Sequence, residues 1–138
     1  MVIDAHYHPA FIKEVCGNEE LAQRRRNDMA YYKTGVAEVK RIKERMRSSG
    51  VDRCFLLPHD YSTVSGDRIS NEEMKDLVEL GEGMFYGFAS VDPNQEDAGE
   101  KLEYAFRELN LSGLKLHPSK QGFYPNDKKM YGDRKSVV

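Results

Sequence analysis

Four short apolar runs, each stopped by a polar tip, constrain this chain most. Met1-Val2-Ile3 leads into Asp4 and His6, and Arg53-Cys54-Phe55-Leu56-Leu57 ends at Pro58-His59-Asp60. MFYGFASV (residues 84–91) ends at Asp92-Pro93, and Gly113-Leu114-Lys115-Leu116 ends at His117-Pro118. Each run is strand-length and bounded by proline and polar residues. Helical patterns separate them. Val36, Val39, Ile42 and Met46 fall on one helical face, with Gly50 as the stop. Ser70 to Glu73 reads as a capping box, Met74, Leu77 and Val78 as the apolar stripe behind it, and Gly81 as its end. After Glu96, Ala98, Leu102, Ala105, Phe106 and Leu109 repeat at helical spacing. Strands alternating with helices predict a parallel α/β sheet with crossover helices. The first connection, residues 10–35, is polar and broken at Gly17-Asn18 and Thr34-Gly35. It is expected as an extended loop with a short helix over residues 19–32, and long insertions at this position often shape an active site.

All four histidines of the chain lie at these tips. Ligands of parallel α/β folds bind at the C-terminal edge of the sheet, so the clustering carries more information than any one residue. Alternation along a strand puts residues i and i+2 on one face. Asp4, His6 and His8 are therefore expected to point one way, and Lys115 and His117 another shared way. Two imidazoles at i and i+2 can reach one divalent ion, zinc or manganese, as nitrogen ligands. A catalytic ion takes about three protein ligands and a water whose pKa it lowers, so more ligands must come from elsewhere. Asp4 can orient a ligand as an outer partner or line the sheet interior. Asp92 can cap the next helix or serve as a ligand. His59 and Asp60 are substrate-binding candidates at the mouth, or members of a loop turn.

Charge narrows the partner. Twenty-one Lys plus Arg against 23 Asp plus Glu give a net charge of −2. That balance supplies no general drive toward nucleic acid or an acidic membrane. The cationic clusters Arg24-Arg25-Arg26 and Lys40, Arg41, Lys43, Arg45, Arg47 are expected as solvated helix faces. Cys16 and Cys54 form no Cys-x-x-Cys pair and no disulfide framework, and Cys54 is expected as a buried thiol. No signal-peptide pattern and no bilayer-length apolar segment appears in the sequence. The expectation is a cytoplasmic protein with a small-molecule substrate, without nucleic acid or membrane.

IDAHYHP, GVDRCFLLP, YGFASVDP and GLKLHP, with SKQGFYPND after the last, run in that order through residues 1–131. Together they resemble the amidohydrolase-related family. This is the branch of the metal-dependent amidohydrolase superfamily that includes hydrolases and nonoxidative decarboxylases. His-x-His is shared across the superfamily, whereas GLKLHP with its trailing residues is narrower. The resemblance implies a TIM-type (β/α)8 barrel with a divalent metal at its C-terminal mouth. This chain would be the first half of it, about four strand–helix units. His6 and His8 would be the first-strand metal ligands. The family adds a histidine from the fifth strand, an aspartate from the eighth and a further acid–base histidine, at positions outside this chain. Lys115 and His117 match the fourth-strand segment and become the catalytic candidates. Some superfamily members carboxylate a lysine on that strand to bridge two metals, and substrate binding or a structural hydrogen bond remain the alternatives here. The implied reaction is attack of a metal-activated water on an amide, lactone or similar carbonyl. The alternatives are metal-dependent nonoxidative decarboxylation, and a non-catalytic half-barrel or interaction module needing a partner chain. A homo-oligomer is a further expectation for the longer protein.

A barrel of this class takes about 250 residues, against the 138 present. Residues 1–131 are therefore expected as the N-terminal half. The ending GDRKSVV (residues 132–138) translates a common sequencing adapter in frame up to its stop codon. It is expected as a non-native tail, with the natural chain continuing past Tyr131.

Overall fold

A computed structural model describes residues 1–128. The proposed boundary at Tyr131 and the tail over residues 132–138 lie outside the described residues. Strand β1 (Ile3–Tyr7) leads through two single-turn 3-10 helices to α1 (Glu19–Met29) and α2 (Val39–Ser48). Then come β2 (Arg53–Leu56), the short β3 (Asp60–Tyr61) and β4 (Asp67–Arg68), α3 (Asn71–Leu80), β5 (Phe85–Gly87), α4 (Ala98–Arg107) and a single turn, α5 (Pro118–Gln121).

β1, β2 and β5 form one parallel sheet in that order. The fourth apolar run extends it. Ser112 N donates to Gly87 O at 2.8 Å, Ala89 N to Gly113 O at 2.7 Å and Lys115 N to Ala89 O at 2.8 Å, around the parallel bridge Ala89–Leu114. The four runs thus stand side by side in chain order. No reversal of strand order occurs among these four runs.

One face of the sheet is closed. Cys54, Leu56, Phe85 and Ala89 are buried with Met74, Leu77, Leu102 and Ala105 in one apolar cluster. The capping box at α3 is complete: Glu73 N donates to Ser70 Oγ at 3.1 Å and Ser70 N to Glu73 Oε2 at 2.7 Å. Gly87 is required where α3 crosses β5, because a Cβ there would meet Val78 Cγ2 at 2.7 Å and Leu111 Cδ2 at 3.0 Å. On the opposite face Phe55 meets Tyr86 edge-on at 5.8 Å and Phe88 at 5.5 Å, and Ile3 and Tyr86 are exposed.

Residues 10–35 are more ordered than the sequence suggests. Asn18 Oδ1 accepts from Leu21 N at 2.8 Å and starts α1, and Ala30, in the left-handed region, ends it. Lys13 N donates to Ala37 O and Ala37 N to Phe11 O, closing the loop, and Ala10 and Ile12 are fully buried.

Three expectations are corrected. Arg25 does not lie on a solvated face: it is 1% exposed, and its guanidinium has five oxygen partners inside the fold. Lys43 likewise turns inward, its Nζ donating to Leu80 O at 3.0 Å and Glu82 Oε2 at 2.6 Å. Asp92 does not cap a helix, because α4 begins only at Ala98. Its carboxylate instead accepts from Thr63 N at 2.7 Å and Asn94 N at 2.9 Å, tying two loops together. Cys54 is buried as expected, and burial pushes its thiol pKa up to about 12.

Candidate functional site at the C-terminal sheet edge

The strand carrying the histidine pair is not regular. Asp4 lies opposite Cys54 and Tyr7 opposite Leu56, so three steps along β1 match two along β2. One extra residue is bulged between them. Cys54 and Leu56 share a face, so Asp4 and Tyr7 share it too, toward the core. His6 and His8, each one residue from Tyr7, face the other way. The expectation that Asp4, His6 and His8 point together is therefore overturned by the bulge. The aspartate itself supports that bulge: His6 N donates to Asp4 Oδ1 at 3.0 Å, an i to i+2 bond of the kind that pinches a chain. Asp4 acts on His6 through the backbone.

Bulge and alternation bring the two imidazoles together. His6 Nε2 and His8 Nε2 are 3.0 Å apart, with ring centroids at 4.8 Å. His8 Nδ1 meets the Leu57 carbonyl at 3.3 Å. A carbonyl only accepts, so Nδ1 carries the proton and Nε2 of neutral His8 is the bare nitrogen. Burial first, then the nearby Lys115 charge, lowers the His8 pKa and favours that neutral form. The separation lets both nitrogens reach one ion at about 2.0–2.1 Å. Among the described residues, no third His, Cys, Asp or Glu joins them as a metal-holding set.

A cleft of about 290 Å³ lies beside this pair, lined by His8, Tyr31, His59, Tyr61, His117 and Lys120 among others. Three of the four histidines thus open on one space, and the fourth touches it through His8. Tyr61 is the hub. Its ring stacks on His59 at 4.7 Å and meets His117 edge-on at 6.2 Å, and Lys115 Nζ sits 5.9 Å from its centre. Burial pushes the Tyr61 hydroxyl up to about 12 and brings the Lys115 ammonium down to about 8. His117 is lowered by burial and by Lys115, and its Nδ1 lies 3.2 Å from Ser119 Oγ. Asp60 is not turned to the cleft in the same way: its carboxylate accepts from the amide and hydroxyl of Ser62. Its carbonyl accepts from Gln121 Nε2 at 2.9 Å.

Sequence reasoning missed the buried pair that holds His59. His59 Nε2 is 2.8 Å from Asp67 Oδ2, and Arg25 spans the same carboxylate with Nε at 3.1–3.2 Å and Nη2 at 2.9 Å. Arg25 Nη1 also donates to the Ala10 and Val15 carbonyls at 2.9 and 2.8 Å. Burial alone would raise the Asp67 pKa, but hydrogen bonds from His59 and Arg25 outweigh it and hold the carboxyl well below the usual range. The available signal was Ser65-Gly66, a turn pair that returns the chain antiparallel and lays Asp67 and Arg68 beside Tyr61 and Asp60.

Comparison with known proteins adds three findings. No protein-family model matches the chain. Over 83 residues, 60% of this chain, it is 34% identical to the transcriptional repressor NrdR of Streptococcus suis strains 05ZYH33 and 98HAH33. Those residues make up 44% of each repressor, so the chain spans less than half the length of these curated relatives. Among solved structures, 98% of the chain superposes on 48% of 4-oxalomesaconate hydratase LigJ from Rhodopseudomonas palustris, with a TM-score of 0.65 and 19% identity. At that identity the likeness shows a shared α/β fold. Among the described residues, no helix is long and apolar enough to cross a membrane.

Proposed function

We propose that the chain is part of a metal-dependent hydrolase or lyase acting on a small carbonyl compound. The observation that carries this reading is the His6–His8 pair, with two Nε2 atoms 3.0 Å apart at the C-terminal edge of a parallel sheet. His6 and His8 are the residues that would hold a divalent ion, zinc or manganese, with the remaining ligands from residues beyond those described. Such an ion supplies Lewis-acid polarisation of a carbonyl and activation of water. The chain's own residues do the rest. His8 is held ring-fixed by the Leu57 carbonyl, Tyr61 walls the cleft, and Lys115 and His117 flank it as charged or hydrogen-bonding groups for substrate. The amidohydrolase-like motifs and the fold shared with a hydratase support a reaction of this kind. Water addition to a substrate joins hydrolysis and decarboxylation as the candidates.

Isothermal titration of zinc and of manganese into the chain tests the reading. Measurable binding by the parent and none by a His6→Ala/His8→Ala variant is the expected result. Equal binding by both would remove the pair from the site.

The partial similarity to a transcriptional repressor favours a second reading, nucleic-acid binding through the exposed cations of α1 and α2. Arg25 and Lys43 are already engaged inside the fold, and the net charge is −2. Of the two clusters that leaves Arg24, Lys40, Arg41, Arg45 and Arg47 exposed, a small electrostatic footprint, and ranks nucleic-acid binding behind the metal site. A fluorescence-anisotropy titration with duplex DNA at two salt concentrations separates the two, because phosphate-driven binding weakens steeply with salt.

A further inference from the structure

One buried histidine has no part in the metal pair. His59 is 2% exposed, and its Nε2 has a single partner, Asp67. Its Nδ1 makes no hydrogen bond among the described residues, yet this nitrogen is not among the fully enclosed unpaired atoms; among the described side chains, only Ser90 Oγ is. The ring lines the cleft shared with His8 and His117. Its unpartnered nitrogen is thus not sealed off, and the cleft is the space that the ring borders.

Asp67 fixes which nitrogen is bare. An ionised carboxylate only accepts, and the Arg25 guanidinium on the same two oxygens keeps it ionised. Nε2 of His59 must then carry the proton. In the neutral ring, Nδ1 is left with its lone pair. Tyr61 stacked on the ring holds its plane.

We infer that His59 is the proton acceptor of the cleft, set in the required tautomer by the Arg25–Asp67 pair. This rests on the cleft being the substrate site proposed above. A hydroxyl or water bound there donates its hydrogen to Nδ1. The O–H bond breaks, its electron pair stays on oxygen, and the proton makes His59 an imidazolium still bonded to the Asp67 carboxylate. The proton returns to the product in a later step, so the residue is unchanged over a cycle. His59 is the catalytic residue here, and Asp67 and Arg25 are positioning residues.

Long-range proton–nitrogen correlation spectra of the chain labelled at histidine test this directly. The expected result is an Nε2–H tautomer for His59 at neutral pH, with Nδ1 resonating as an unprotonated nitrogen. Protonation of both nitrogens at neutral pH would make His59 half of a structural ion pair and overturn the proposal, as would an Nδ1–H tautomer. In Asp67→Asn the tautomer bias is expected to be lost and the two forms to mix. Should that variant not fold, His59→Gln supplies the second measurement. Its amide keeps the donor to Asp67 and replaces the basic ring nitrogen with a carbonyl oxygen that takes up no proton at neutral pH. Zinc affinity measured by titration should stay at the parent value, not fall by the roughly 10- to 100-fold that loss of a ligand's supporting partner produces. A fall of that size would assign His59 to the metal site and overturn the acceptor role. Loss of zinc binding in the His6→Ala/His8→Ala variant is read separately, so failure of the metal reading and failure of this one are distinct results.

Discussion

The molecule holds its histidines in two contrasting ways. His6 lies on β1 and His8 just past its end, aimed by a bulge and touching chiefly each other. His59 sits under the same sheet edge but is locked by a carboxylate, a guanidinium and a stacked ring. The first pair is adaptable and short of ligands. The second group is fully specified and has one nitrogen to spare. The proposed combination of ion binding and proton transfer would draw on both kinds of histidine: one free to coordinate, one held to a single tautomer.

The largest test of this contrast is Arg25→Ala. It leaves the buried Asp67 carboxylate with the His59 ring as its one close side-chain partner besides the more distant Arg24, and removing one member of a buried pair costs about 3–5 kcal/mol. Urea denaturation of the variant should show that loss, and a change below about 1 kcal/mol would demote the pair to a surface-like contact. The same variant gives a pH test. The folded Asp67 carboxyl is depressed, so its stabilisation is complete above the unfolded value of about 3.9 and declines as pH falls below it. The stability gap between parent and Arg25→Ala should therefore narrow as pH falls from about 5 toward 3. Next comes Asp4→Ala, which removes one backbone-to-carboxylate bond from the bulge. A loss of about 0.5–1.5 kcal/mol, with weaker zinc binding although both imidazoles remain, is the expected outcome in denaturation and titration. Unchanged affinity would mean the bulge stands without Asp4. The smallest effect belongs to His6→Ala. The residue is exposed, so stability should stay within about 0.5 kcal/mol of the parent, while metal binding is lost.

Much of the fold is legible in the sequence. The capping box at Ser70, the apolar stripe of α3 and the helix after Glu96 obey local rules, and local rules decide them. The four-run parallel sheet follows from alternation and from where prolines interrupt it. The sites are less legible because they depend on contacts distant in sequence. A run of three arginines looks alike whether solvated or buried. Arg25 differs from its neighbours only because its helix face meets a loop carrying Asp67, 42 residues on. The facing of Asp4 fails for another reason. Alternation assumes an unbroken strand, and the residue that breaks it is the aspartate itself. Asp-x-His-x-His is plain in the sequence, but nothing in those letters displays that its first member turns away.

The Arg25 clamp also bears on the order of folding. Its oxygen partners lie 10, 15, 42 and 43 residues away along the chain. The Ala10 and Val15 contacts need only the first loop and α1, but the Asp67 and Arg68 contacts that complete the clamp need the β3–β4 ribbon as well. An interaction of that kind is completed on the native side of the folding barrier, so weakening it should leave the folding rate nearly unchanged and accelerate unfolding. The clamp thus works as a lock on the unfolding path: it sets how long the folded cleft survives, more than how quickly it is made.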